Sequence, residues 1–141
     1  MKGKFLHNKI LVGALAAALR LHGYPMRLEH AVQRGQHSRS VDILFIANGC
    51  RVVIEVELTP ARIPGDWAKA KAVDADLLLI VVPHPQVNVA AKAAIDRLRP
   101  ATLSGPPQIQ VMCLGAALQW IGNNCPGISR SHQLKRSNET L

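Results

Sequence analysis

Two neighbouring β-type segments within residues 41–59 carry three carboxylates among otherwise apolar side chains. Asp42 lies at the start of the first segment, and Glu55 and Glu57 lie toward the end of the second. Residues 47–51 between them have the composition of a hairpin connection. Because strand residues two apart point to the same face, Glu55 and Glu57 should project together, which is costly unless a cation joins them. A divalent metal ion is the usual partner for such oxygen ligands.

The remainder of the chain alternates helical and strand-like patterns. Apolar residues at helical spacing predict helices, and a continuous apolar run at 77–82 is typical of a buried strand. The predicted helices cover residues 9–22, 64–73, 87–98 and 115–121, and the predicted strands cover 26–33, 41–47, 51–58, 77–82 and 109–114, with a loop at 34–40 and a helix stop at Pro100. This order predicts an α/β fold in which a mixed central β-sheet is flanked by helices. Residues 1–121 form one predicted domain, and the basic, polar residues 122–141 form a predicted disordered tail.

The composition favours a polyanionic partner. The 141 residues carry a formal charge of +8 and give a pI of about 10.0, which favours nucleic acid, although a basic protein without such a partner has the same composition. Arg34, Arg39 and Arg51 flank the carboxylate-bearing strands and are either phosphate contacts or solvated side chains. The three cysteines lack the spacing of a zinc site or a disulfide framework, so a reducing cytoplasm is expected. The apolar run at 10–19 is only about half a membrane span, so no membrane segment is expected.

The spacing of the carboxylates resembles a known nuclease motif. Asp42, followed after a gap of twelve residues by Glu55-Val56-Glu57 near a strand end, resembles the motif of the PD-(D/E)XK nuclease superfamily. That superfamily has the restriction-endonuclease-like fold with the core order α-β-β-β-α-β, and the resemblance covers about residues 8–82. Asp42 matches the family's aspartate, and Glu55 matches the first acidic residue of its second element. Glu57 stands where the family usually carries lysine, a substitution that some restriction enzymes share, and Val41 replaces the family's proline.

The resemblance implies a restriction-endonuclease-like fold and hydrolysis of DNA phosphodiester bonds with Mg²⁺ (or Mn²⁺). Asp42 and Glu55 would hold one or two ions, and Glu57 would bind a second ion or act as a general base. A lysine of the following helix would restore the missing positive charge. Lys71, at the edge of the apolar stripe of that helix, is favoured over Lys69 for this role.

Two further residues near the motif are considered as site residues. Many members of the family add an acidic residue in the first helix, and this chain has no Asp or Glu before Glu29. Glu29 would therefore substitute from the first strand. His37, in the predicted loop before Asp42, is the histidine nearest to the motif, although a surface role is more typical of an isolated histidine.

Two classes of function follow from these observations. The first is a metal-dependent DNA endonuclease acting as a homodimer, because one site cuts one strand. The second is a catalytically inactive nuclease-fold module for nucleic-acid binding or assembly, which the glutamate in the lysine position favours. A solvated face on an edge strand would explain Glu55 and Glu57 without any site. An unrelated Rossmann-like domain is a third possibility, but no glycine-rich βα turn supports it.

Overall fold

The computed structural model of the protein describes residues 2–34, 37–102 and 105–128, with side chains described for 8–29, 40–86, 88–97 and 105–128. Helices and strands alternate along the chain. In order they are α1 (Lys2–Leu21), β1 (Met26–Arg34), β2 (His37–Ala47), β3 (Cys50–Val56), a 3₁₀ turn (Pro60–Arg62), α2 (Ile63–Ala72), β4 (Leu77–Val82), α3 (Pro85–Thr102), β5 (Gln108–Cys113) and α4 (Leu114–Gly122). Among the described residues, no helix combines the length and the apolar character needed to cross a membrane.

The five strands form one mixed sheet in the order β1-β2-β3-β4-β5. The pairs β1–β2 and β2–β3 are antiparallel, whereas β3–β4 and β4–β5 are parallel. The β2–β3 pair is joined by a short turn, and the parallel pairs are joined through α2 and α3, because a parallel connection must carry the chain back along the sheet. The predicted mixed sheet flanked by helices is confirmed.

A two-residue turn sets the register between β2 and β3. Asn48 and Gly49 both have positive φ, 53° and 79°. Two consecutive left-handed residues give a turn whose twist matches that of the adjoining strands. Continued by one pair beyond the last paired residues, the register that this turn sets brings Asp42 level with Glu55.

Both faces of the sheet are buried, so the sheet separates two apolar cores. One core joins β2, β3 and β4 to α1 and α4, with α1 contributing Leu11, Leu15 and Leu19. The other core joins the opposite face of the same strands to α2 and α3. All six residues of β4 are buried. Each fully buried aliphatic side chain contributes about 1.5–3 kcal/mol, so the central strands are the most stable part of the fold.

Three element boundaries differ from the sequence prediction by four residues or more. α1 begins at Lys2, and β2 begins at His37, because backbone pairing with β1 extends the strand through polar residues that were predicted to form a loop. α3 continues through the predicted stop at Pro100 to Thr102, since a proline in the last turn has helical φ and forfeits only one hydrogen bond.

The predicted tail begins too early. Cys125 is fully buried, and the Nε1–H of Trp120 donates a hydrogen bond to the carbonyl oxygen of Pro126 at 2.8 Å. Residues 122–128 therefore pack against the domain. The rest of the predicted tail, 129–141, lies outside the described residues.

We expect Gly49→Ala to lower the free energy of unfolding by about 1 kcal/mol, because an L side chain is disfavoured at φ 79°. The matched control is Gly13→Ala, which makes the same change in α1, where the added Cβ meets no atom within 4 Å. That control should raise the free energy of unfolding by about 0.5–1 kcal/mol. Urea unfolding measures both values, and equal effects of the two substitutions would contradict the assigned turn geometry.

Candidate metal centre

A cavity of about 440 Å³ opens where β3 ends. Its lining combines carboxylates, two cations and one amide from four parts of the chain. The lining residues are Asn8, Asp42, Glu55, Val56, Glu57, Ala61, Arg62, Gly65, Asp66 and Lys69. The three carboxylates singled out from the sequence therefore line the same cavity.

Glu55 and Glu57 reach the cavity from the end of β3. The side chains of both are almost completely buried, at 3% and 6% exposure. Although β3 ends at Val56, the N–H of Glu57 still donates to the carbonyl oxygen of Val81 at 3.0 Å. This bond keeps Glu57 aligned along β4, so the two glutamates stay close beyond the end of the strand. A solvated strand face does not describe this arrangement, because both side chains are buried.

Asp42 lies where β2 passes the end of β3. Its Oδ2 accepts a hydrogen bond from the N–H of Val56 at 2.9 Å, so the side chain supplies the acceptor that a paired backbone would otherwise provide. On the other side of β2, Glu29 falls opposite Asp42, has φ 49° and interrupts the β1–β2 pairing. Glu29 is exposed and does not line the cavity, so its predicted substitution for a first-helix carboxylate is wrong.

Two adjacent stripes of α2 face different surroundings. Ile63, Trp67 and Ala70 recur at helical spacing and are buried in the core between α2, α3 and the sheet. Asp66 directly precedes Trp67, and Lys69 directly precedes Ala70. Both charged residues line the cavity instead of the core. Docking the apolar stripe therefore fixes where the charged stripe points.

Lys69 is the cation at the centre of the cavity. Its Nζ lies 2.9 Å from Oε1 of Glu55 and 3.6 Å from Oδ1 of Asp66, and it donates a hydrogen bond to the carbonyl oxygen of Ser40 at 3.1 Å. Burial by itself disfavours the charge of Lys69, but Glu55, followed by Asp66 and Asp42, outweighs burial and raises the pKa of the ammonium. The side chain therefore remains charged.

The prediction that Lys71 supplies this cation is wrong. Nζ of Lys71 lies 4.9 Å from the ring centroid of Trp67, a cation–π contact on the outer side of α2, and Lys71 does not line the cavity. Residues two apart on a helix are turned by about 200° from each other, so Lys69 and Lys71 cannot both face the site.

The carboxylates form a group that could hold a metal ion. Glu55, Glu57 and Asp66 each offer an oxygen within 4.8 Å of the others, and all three side chains are buried. Oδ2 of Asp66 is buried without a hydrogen-bond partner among the described residues. A buried carboxylate oxygen without a partner is costly, and a hard cation would satisfy it. The donor set, oxygen only, fits Mg²⁺ or Mn²⁺.

Burial and mutual repulsion shift the titration of this group. Burial, then the negative charge of Asp42, raises the pKa of Glu55 to about 8 against the opposing effect of Lys69. Burial, then the neighbouring carboxyls of Glu57 and Glu55, raises the pKa of Asp66 to about 10. Protons therefore reduce the negative charge of the cavity when no other cation is bound.

Sequence reasoning missed Asp66 and Asn8. Asp66 stands in the first turn of α2, where an acidic residue has an ordinary explanation as a partner of the helix dipole. The signal in the sequence that could identify Asp66 is its position. It directly precedes Trp67 of the apolar stripe, and so lies on the stripe of α2 that faces the cavity. Asn8 lies inside α1, lines the cavity, and has a buried Oδ1 without a hydrogen-bond partner among the described residues. It is a neutral oxygen donor from the first helix.

The predicted nucleic-acid contacts are only partly described. Arg51 lies at the turn end of β3, four residues or about 13 Å before Glu55 along the strand, and does not line the cavity. Its contact with a phosphate therefore stays a prediction, at a distance from the cavity. The side chains of Arg34, Arg39 and His37 lie outside the described residues.

Comparison with known proteins identifies the fold. No protein-family model matches the chain, and no curated protein matches it either. Among solved structures, the chain is similar to the crystal structure of a protein of unknown function, AF1548, with a TM-score of 0.51 and 15% sequence identity. The similarity covers 72% of this chain and 55% of that one, so the chain spans about half the length of its structural neighbour. It supports the α/β fold with its helix-flanked sheet.

We expect the free energy of unfolding, measured without divalent ions, to fall as the pH rises from about 5 to about 8. In this range Glu55 and Asp66 retain protons in the folded protein, with pKa values of about 8 and about 10, and release them in the unfolded chain. Because the unfolded state binds up to two fewer protons, stability decreases with rising pH, by at most about 3 kcal/mol per pH unit. Urea unfolding in the presence of a chelator measures this slope.

Asp66→Asn should flatten the slope, because it removes one of the two buried carboxyls. Asp96→Asn makes the same change at an exposed position of α3 and serves as the control. Stability that increases over this pH range in the wild type would contradict the assigned protonation of the cavity.

Proposed function

We propose that this protein is a Mg²⁺-dependent DNA endonuclease of the PD-(D/E)XK type. The observation that carries the proposal is the position of Lys69, whose Nζ lies 2.9 Å from Glu55 in a cavity that also contains Asp42. The motif resembled by this sequence requires two carboxylates and one lysine around a single site. Here the two carboxylates come from β2 and β3, and the lysine comes from the following helix.

The order of elements supports this proposal. The order α1-β1-β2-β3-α2-β4 agrees with the core order of the superfamily, and α3, β5 and α4 are additions at the carboxyl end. Asp42 and Glu55 stand on neighbouring antiparallel strands, as the resemblance implies. Glu57 occupies the sequence position of the usual lysine, and we propose that Lys69, which contacts Glu55, takes over the role of that lysine.

Metal binding is assigned to the carboxylates of the cavity. Asp42, Glu55, Glu57 and Asp66 would hold one or two Mg²⁺ ions, with Asn8 as an additional neutral oxygen. When bound, Mg²⁺ supplies Lewis-acid polarisation of a phosphodiester oxygen and a lowered pKa of water. Two features favour a bound Mg²⁺ ion. Oδ2 of Asp66 is buried without a hydrogen-bond partner among the described residues, and the three carboxylates lie close together.

The protein side chains contribute orientation and proton transfer. In hydrolysis, a water oxygen forms a bond to phosphorus, one P–O ester bond breaks, and the leaving oxygen takes a proton from solvent. We assign to the carboxylate of Glu57 the acceptance of the proton from the attacking water. Glu55 and Asp66 are ion-paired to Lys69, and Asp42 accepts a hydrogen bond from the backbone of Val56, so Glu57 is the remaining carboxylate of the cavity lining. The ammonium of Lys69 offsets the negative charge that develops on the phosphate.

DNA is the proposed substrate because of the charge of the chain. The net charge of +8 draws a polyanion toward a site that is itself acidic. Arg34 and Arg39, on strands that extend past Asp42, are proposed phosphate contacts. One site cuts one strand, so double-strand cleavage needs two copies of the chain, and we propose a homodimer.

A non-catalytic nuclease-fold module is the second candidate, and one observation favours it. Lys69 already places a cation between Glu55 and Asp66, which lowers the need for a metal ion. Such a module would bind DNA without cutting it. The absence of cleavage by the wild type on plasmid, branched and single-stranded DNA, with Mg²⁺ and with Mn²⁺, would favour this candidate over the enzyme.

We expect Lys69→Ala to abolish nicking of supercoiled plasmid in Mg²⁺, as Asp42→Ala should, because it removes the one lysine that lines the cavity among the described residues. Lys71→Ala is the matched control, since it removes the same charge two residues away on the outer side of α2. The rate of plasmid nicking should fall by at least about 100-fold for Lys69→Ala, a loss typical of general acid–base or electrostatic groups. Greater loss with Lys71→Ala would reverse the assignment of the two lysines.

We expect Glu57→Gln and Glu57→Lys to weaken Mn²⁺ binding by about tenfold or more and to reduce nicking. Each variant removes a carboxylate from the group of three, and Glu57→Lys adds a second ammonium beside Lys69. Calorimetric titration measures the affinity, with Asp96→Asn as the control. Nicking by Glu57→Lys at or above the wild-type rate would mean that Glu57 only fills a vacated lysine position.

A further inference from the structure

Arg62 is the second cation that lines the cavity, and it differs from Lys69 in its surroundings. Lys69 is partly buried and is held by Glu55 and Asp66. Arg62 is exposed and has no ion pair or side-chain hydrogen bond among the described residues. The two cations therefore lie at different depths, one among the carboxylates and the other at the mouth of the cavity.

The placement of Arg62 follows from the helix that it precedes. Arg62 is the N-cap residue of α2, with φ −87° and ψ −8°. It leads Asp66 by four residues and Lys69 by seven, so the three residues continue the charged stripe of α2 up to the first turn. The apolar stripe next to it, which starts at Ile63, is packed in the core and fixes the rotation of the helix.

The lining around Arg62 leaves space for a ligand. Near Arg62, the cavity wall contains Ala61, whose side chain is a methyl group, and Gly65, which has no side chain. The acidic side chains at the inner end of the cavity are buried, Glu55 and Asp66 each to 3% exposure. A group that enters the cavity therefore passes an unpaired guanidinium before it reaches the carboxylates.

We propose that Arg62 binds a phosphate of the DNA substrate at the mouth of the cavity and so positions the scissile phosphodiester over the carboxylates. This inference rests on the proposed function. A guanidinium forms paired, charge-assisted hydrogen bonds to two phosphate oxygens, and an exposed arginine is free to do so without breaking an existing ion pair. Arg62 is thus a binding and positioning residue, and it adds a cation to a site whose carboxylates repel the substrate.

The test compares DNA binding by the full chain and three variants. A fluorescently labelled DNA duplex is titrated in Ca²⁺, which replaces Mg²⁺ to prevent cleavage, over a series of salt concentrations. The variants are Arg62→Ala, Arg62→Lys and the matched control Arg97→Ala, an exposed arginine of α3 that does not line the cavity. Calorimetric titration with Mn²⁺ then shows whether each variant keeps the carboxylate centre.

Arg62→Ala should weaken DNA binding about five- to tenfold, the loss of one charge-assisted contact, and should reduce the salt dependence by about one phosphate. Arg62→Lys should give an intermediate affinity with an unchanged salt slope, because it keeps the charge and loses the paired geometry. Arg97→Ala should match the wild type. Mn²⁺ affinity in Arg62→Ala should equal or exceed that of the wild type, because a cation is removed near the metal ligands.

Three outcomes would overturn the inference, and they are distinguishable. If the wild type binds DNA and Arg62→Ala binds as tightly as Arg97→Ala, Arg62 makes no phosphate contact, while the proposed nuclease function stands. If the wild type binds neither duplex nor branched DNA, the proposed function fails and the role of Arg62 fails with it. Loss of Mn²⁺ binding in Arg62→Ala would also contradict the inference, because Arg62 would then support the carboxylate centre itself.

Discussion

The contact between Lys69 and Glu55 is the interaction on which the candidate centre depends. Three carboxylates that are almost fully buried would repel one another and would lack the solvation they have in water. Lys69 lies 2.9 Å from Glu55 and 3.6 Å from Asp66, so one ammonium offsets the charge of two carboxyls. Burial raises the pKa values of the same two carboxyls, Glu55 and Asp66, so their uptake of protons reduces the negative charge of the cavity further. An ion pair at this depth supports a charged site in the fold more than it supports overall stability.

The sheet determines where these charges can meet. The Asn48-Gly49 turn sets the β2–β3 register, and the hydrogen bond from Val56 to Asp42 joins the two strands where their backbone pairing ends. Because both sheet faces are buried, neither glutamate of β3 has a solvated alternative. Among the described residues, the cavity between the end of β3, the start of α2 and α1 is the space that both glutamates line. Packing of the apolar stripe of α2 then directs its charged stripe into that space.

Much of the fold was predictable because its patterns are local. The range of β4 follows from its apolar run. The existence and order of the other strands and of the four α-helices follow from apolar runs and helical periodicity. The start of β2 and the continuation of α3 past Pro100 were not predictable, since strand pairing with β1 and the tolerance of the last helical turn are decided by neighbours. Cys125 illustrates the same limit, because a polar segment gave no sign that it packs on α4.

The sequence by itself determined that Asp42, Glu55 and Glu57 belong to one site, because strand periodicity and a hairpin turn relate residues at short range. The sequence also led to the prediction that a lysine of the next helix, with Lys71 favoured, supplies a positive charge to these carboxylates. Only the tertiary structure decided that this lysine is Lys69. The rotation of the ten-residue helix α2 about its own axis is set only when its apolar stripe packs in the core. The tertiary structure likewise decided that Asn8 of α1 lines the cavity at the end of β3. Contacts between elements that are distant in the sequence depend on packing and leave no periodic signal in the chain.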